Sequence, residues 1–161
     1  MQPDLQQQQQ KKQQGIDVAV LVSIGRHPTT GRARRAEQDA RGLELALAME
    51  IELPGTRISV LHAGAQDDSS EAALRGYLGM ATGVGMGLET MTLLEQAEGS
   101  DAIPALAAYL AATSPQLVIT GARAERGEGS GLLPYALAEH LGWPLVNSLA
   151  SVEKVENGVV T

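Results

Sequence analysis

No cysteine occurs among the 161 residues, so disulfides, thiolate metal sites and cysteine-based catalysis are all excluded. Phenylalanine is also missing and tryptophan occurs once, which leaves Ala, Leu, Val and Ile to fill the core and suits helices packed closely on a sheet. No uninterrupted apolar run approaches the ~20 residues that a bilayer-spanning helix needs. The N-terminal stretch MQPDLQQQQQKKQQG has no apolar segment either, which excludes a secretory signal or an anchor there. Residues 1–15 read as a disordered glutamine-rich tail, and a cytoplasmic protein without membrane insertion is expected. Basic residues are few, 12 against 19 acidic for a net charge of −7, which argues against nucleic acid as the main partner. Arg32, Arg34, Arg35 and Arg41 do cluster, but Glu37 and Asp39 are interleaved and no aromatic is present to stack a base, so the cluster reads as a solvated loop and helix start. The three histidines, His27, His62 and His140, lack the short spacing of a metal pair, and each reads as a surface or loop histidine.

What is present is an alternation of short apolar runs with helical periodicities. Ile16 to Ser23 is dense in β-branched residues and suits a first strand covered on both faces. Gly25 to Arg34 reads as a loop, and Ala40, Leu43, Leu47 and Ile51 mark a helix face that ends near Pro54-Gly55. Arg57 to Ala63 is a second strand. Ser69 or Ser70 is placed to cap a helix carrying Ala73, Leu74, Tyr77 and Leu78. Leu88 to Leu94 is a weaker third strand after Gly83, Gly85 and Gly87. A helix opening at Asp101, with Pro104 in its first turn, stops at Ser114-Pro115, and Leu117 to Ile119 form the fourth strand. Leu149 to Val155 looks extended, and Asn157-Gly158 is a hairpin signal with only Val159, Val160 and Thr161 behind it, so the return strand looks cut short. Strands alternating with helices across short turns predict one α/β domain over 16–161: an open, mainly parallel, Rossmann-like sheet with helices on both faces, ending in a partial β-hairpin.

Gln116 to Pro144 is the segment that carries chemistry. It reads as strand, glycine-rich loop and amphipathic helix, with Gly127, Glu128, Gly129, Ser130 and Gly131 in the loop and Leu132, Leu133, Ala136, Leu137 and Leu141 at helical spacing. Glycines let a backbone approach an anion, and the amides of a helix start can donate to it. The loop lacks the full G-x-G-x-x-G spacing, so an anion cradle and a plain turn both stay open. No Walker-type lysine follows, Gly129-Ser130-Gly131 is too tight for a nucleophile elbow, and Glu125 and Glu128 share the loop with Arg123 and Arg126, which gives them surface ion-pair partners. No catalytic constellation is visible. In a parallel sheet, ligands bind outside the carboxyl ends of the strands. Those ends carry Ser23, then Ala63 and Gly64, then Gly121 and Arg123. An adenine resting on Ser23 and Ala63, with its phosphate on amides from Gly129 to Leu132, is the expected arrangement. A stand-alone adenine-nucleotide sensor of the stress-protein type is the alternative function.

Four landmarks, in order and spacing, go further: Val20-Leu21-Val22 followed by Arg26; Gly64 with Leu74-Arg75, Leu78 and Met80; Leu117 to Gly121; and Leu137-Ala138 leading to Leu141-Gly142-Trp143-Pro144. On these the chain resembles the beta subunit of electron transfer flavoproteins over roughly residues 16–161. The resemblance implies an electron-carrier subunit and not an enzyme. It implies pairing with an alpha subunit that shares FAD, and passage of electrons from flavin dehydrogenases towards a quinone-linked acceptor. It also implies AMP, or a second FAD, in the crevice matched by Ser23, Ala36 to Asp39, Ala63 and Gly121 to Leu132. Two departures stand out: Ala36-Glu37 replaces an Asn-Pro, and residues 125–131 replace an acidic loop. Family members continue past Thr161, where the dehydrogenase-docking loop lies, so an exposed sheet edge and poorer solubility are expected of this chain.

Overall fold

The computed structural model describes residues 15–65, 67–80, 88–123, 131–149, 151–152, 155–156 and 159–160. Apart from Gly15, the N-terminal tail lies outside them, as do Gly83, Gly85 and Gly87. The elements are β1 (Asp17–Leu21), β2 (Ile24–Arg26), β3 (Ala33–Arg35), α1 (Glu37–Glu52), β4 (Arg57–Gly64), α2 (Asp68–Met80), β5 (Leu88–Glu95), α3 (Ile103–Thr113), β6 (Leu117–Thr120), α4 (Leu133–Leu141), β7 (Val155–Glu156) and β8 (Val159–Val160).

Four of these strands pair in parallel in the order β5-β4-β1-β6. Alternate side chains of a strand point to opposite faces, so one apolar run serves two cores. Val18 and Val20 of β1 with Ile58 and Val60 of β4 meet Leu43, Ala46 and Leu47 of α1 and Leu74 and Tyr77 of α2. Ala19, Leu21 and Leu61 meet Leu106 and Leu110 of α3 and Leu137 of α4 on the other side. Leu43 and Leu110 are both fully buried, and each such burial contributes about 2 kcal/mol. Helices on both faces of a parallel sheet are what the alternation predicted.

Several local expectations are corrected. Gly25 to Arg34 is a loop only over residues 27–32: its ends belong to β2 and β3, which form an antiparallel hairpin with Gly31 in the turn at a φ of +68°. The hairpin pairs with itself, outside the four-stranded sheet, and rests on α2, where the stem of Arg35 covers Gly76. Ile51 is 62% exposed, because eight residues beyond Leu43 a helix position has rotated by about 80° off the buried face. Leu78 is exposed too, since Ala73, Leu74 and Tyr77 already occupy the inner face. The cap of α2 is Asp67, whose Oδ1 accepts from the Ser70 amide at 2.7 Å, so the serines are not the cap. Leu132 precedes α4 and is exposed. Of the segment expected to be extended from Leu149 to Val155, residues 149, 151 and 152 are outside any strand, Val155 opens β7, and the rest lie outside the described residues. The hairpin itself exists, Val155 opposite Val160 and Glu156 opposite Val159, while Asn157 and Gly158 lie outside the described residues.

Helix ends follow local chemistry. Ser114, in the left-handed conformation before Pro115, stops α3. Gly142 at +69° stops α4, with the Trp143 amide reaching back to the Ala138 carbonyl at 3.0 Å. The carboxyl ends of β1, β4 and β6, three adjacent strands, therefore open on one side of the molecule. From β1 the chain moves to β4 and β5 on one flank and returns to β6 on the other, so β1 and β6 enclose the switch point where open α/β sheets bind ligands.

Candidate functional site

A crevice opens there. Its walls are apolar, from Leu21, Leu61, Ala63, Ala102, Leu106, Leu133 and Pro134, and its polar lining comes from Ser23, Asp39, His62, Thr120, Gly121 and Arg123. Asp39 governs the strand ends. It lies in the first turn of α1, four residues before Leu43 and so on the buried face of the helix, and is 6% exposed. Its Oδ2 accepts from the Ser23 amide at 2.8 Å and the Ser23 hydroxyl at 2.5 Å, and its Oδ1 accepts from the Gly121 amide at 3.0 Å. One carboxylate thus ties the end of β1 to the end of β6. Gly121 has no room for a β-carbon, which would be driven into Asp39 Oδ1. Next to it on α1, Gln38 Oε1 accepts from the Arg123 amide at 2.9 Å. Tyr77 of α2 completes the frame: its hydroxyl donates to the Ser23 carbonyl at 2.7 Å and accepts from the Ala36 amide at 2.7 Å.

His62 is the histidine that the sequence reading misplaced. It is buried, not on the surface, and its Nδ1 lies 2.9 Å from the Val22 carbonyl, so the proton resides on Nδ1. Gly64 leaves the space that its ring fills, Nε2 standing 3.0 Å from where a β-carbon would be. Burial lowers its pKa below the ordinary 6.5, against the smaller opposing effects of the Val22 bond and the Asp39 charge. The folded chain therefore binds this proton less readily than the unfolded one. The stability involved is complete above 6.5 and is lost as the pH falls from there through the lower folded value. The melting temperature should drop between about pH 7.5 and about pH 5.5, and His62→Gln should flatten that part of the profile. Superimposable pH profiles for variant and parent would refute the assignment.

The site residues expected from the sequence divide three ways. Ser23, Ala63, Gly121, Arg123 and Gly131 come together on the crevice lining. Gly64 and Leu132 do not line it; the first is covered by the His62 ring and the second points outward. Gly127, Glu128, Gly129 and Ser130 lie outside the described residues. Gln38 and Asp39 fall in the stretch Ala36 to Asp39 that the resemblance matched to the crevice, and Asp39 lines it, whereas His62 and Tyr77 were not singled out from the sequence as site residues. Among the described residues no group of three or more His, Asp or Glu is arranged to hold a metal ion. No helix among them is long and apolar enough to cross a membrane.

The electron transfer flavoprotein subunit beta of Chromohalobacter salexigens is 63% identical over 146 residues, which is 91% of this chain and 51% of that protein. The resemblance to the electron transfer flavoprotein beta subunit is borne out. The chain spans about half the length of this curated relative. Among solved structures, a universal stress protein family protein from Arabidopsis thaliana, with AMP bound, matches with a TM-score of 0.57 at 15% identity, over 81% of this chain and 89% of that one. That match shows a shared α/β fold. No protein-family profile matches the chain. In this beta-subunit-like chain, the crevice at the switch point is the feature whose position can be set beside the fold.

Proposed function

We propose that this chain is the nucleotide-binding part of an electron transfer flavoprotein beta subunit, holding AMP or a second FAD in the crevice at the ends of β1, β4 and β6. It acts by positioning and makes no bonds: a carrier subunit that pairs with an alpha subunit, shares FAD with it, and helps to move electrons from flavin dehydrogenases towards a quinone-linked acceptor. The observation that carries the reading is the crevice at the β1/β6 switch point in a chain 63% identical to a beta subunit. The residues suit the adenosine portion. Leu21, Leu61, Leu106 and Leu133 offer apolar surface to a base, Ser23 and Ala63 are small, and a carboxylate faces donors. The Gly121 and Arg123 amides are already taken by Asp39 and Gln38, so a phosphate depends on the Arg123 guanidinium and on the residues leading into α4.

Titration of the purified chain with AMP, ATP and FAD tests the binding, with saturable binding of at least one expected. Binding of none would remove the nucleotide reading. The fold shared with an AMP-bound stress protein favours a second reading, a stand-alone adenine-nucleotide sensor. Co-expression with an alpha-subunit-like protein separates the two: a yellow complex supports the carrier, a colourless homodimer that binds ATP supports the sensor.

A further inference from the structure

His62 has one ring nitrogen committed and the other open. Its Nδ1 donates to the Val22 carbonyl at 2.9 Å, and burial favours the neutral ring, so Nε2 bears no proton and can only accept. Among the described residues nothing donates to Nε2, yet this atom is not sealed into the core. The next residue on that face of β4 is Gly64, where a β-carbon would stand 3.0 Å from Nε2, so no side chain covers this edge of the ring. His62 belongs to the crevice lining. An acceptor there loses its water when a ligand enters, which favours a ligand that brings a donor to the same place.

Strand order fixes which part of a nucleotide would lie beside it. The ends of β4 and β6 flank that of β1, two strand spacings or about 10 Å apart. Arg123 and Gly131, suited to a phosphate, follow β6, whereas Leu61, His62 and Ala63 end β4. A phosphate at β6 therefore leaves the base at β4. We propose that His62 reads that base: Nε2 accepts a hydrogen bond from the exocyclic 6-amino group of an adenine, and a 6-oxo purine, which turns an acceptor towards the same atom, is rejected. This rests on the nucleotide reading above and makes His62 a specificity residue of the crevice.

Calorimetric titration of the unaltered chain with AMP, IMP and purine riboside 5′-monophosphate, which lacks the 6-substituent, tests the idea. AMP is expected to bind at least roughly tenfold more tightly than IMP, with the unsubstituted purine between them. His62→Phe keeps a flat ring without the acceptor, and should weaken AMP and bring the AMP-to-IMP ratio within about threefold. On the parent chain, saturating AMP should move the nitrogen resonance of Nε2 in the direction of hydrogen-bond acceptance. IMP binding as tight as AMP overturns the proposal and leaves the nucleotide reading intact. Discrimination undiminished in His62→Phe, or an Nε2 resonance unmoved by AMP, does the same. If the variant does not fold, the ligand series and the resonance on the parent chain still decide. If none of the three ligands binds, the proposal falls, and ATP and FAD show whether the nucleotide reading falls with it.

Discussion

Asp39→Ala is expected to lower the unfolding free energy by roughly 2–4 kcal/mol, since a buried donor left without an acceptor costs about 1–3 kcal/mol. The donors that depend on this carboxylate include the Ser23 amide, the Ser23 hydroxyl and the Gly121 amide. Alanine supplies no acceptor and too little volume to close over them. Water from the crevice can satisfy part of the need, which keeps the estimate below the simple sum. Urea unfolding at neutral pH measures the effect. A loss of less than about 0.5 kcal/mol, typical of a surface change, would show that the carboxylate does not hold the strand ends together. Asp39→Asn should recover part of the loss, because its amide oxygen still accepts.

Tyr77→Phe is expected to cost about 2–3 kcal/mol, on the same asymmetry between a made and a missing hydrogen bond. Tyr77 is fully buried, and its hydroxyl is the partner of both the Ser23 carbonyl and the Ala36 amide. Phenylalanine preserves the ring packing and removes only the oxygen, which isolates the polar contribution. Because Tyr77 and Asp39 both hold Ser23, the double variant should lose less than the two single losses added, by about 0.5 kcal/mol or more. Strict additivity would separate the two contacts and refute the picture of a shared frame around Ser23.

Much of the fold was legible because its signals are local. The β-branched run from Val18 to Val22, the 3.6-residue spacing of Leu43 and Leu47, and Gly142 at the end of α4 each state their conformation within a few residues. The β2–β3 hairpin escaped because its strands are three residues long and rich in arginine, and their pairing is with each other and not with an apolar sheet. His62 escaped for a different reason: its polarity suggests a surface, while its place between Leu61 and Ala63 on a central strand puts it inside.

The interleaved acids among the arginines show the same limit. In the sequence, Glu37 and Asp39 look alike, two acidic residues in the first turn of a helix where the helix dipole favours negative charge. In the fold Glu37 faces solvent and pairs with Arg41, whereas Asp39 turns inward to Ser23 and Gly121. A rotation of about 200° around the helix separates two residues two positions apart.

The sequence alone determined the α/β order of elements, the side of the sheet on which the strands end in small residues, and the family resemblance, because each depends on spacing along the chain. Only the tertiary structure decided which groups meet at those ends. The bonds that build the crevice join residues 16, 41, 54 and 82 positions apart. They depend on how two helices lie across three neighbouring strands, and that relation is fixed by packing of the two cores and not by any local pattern.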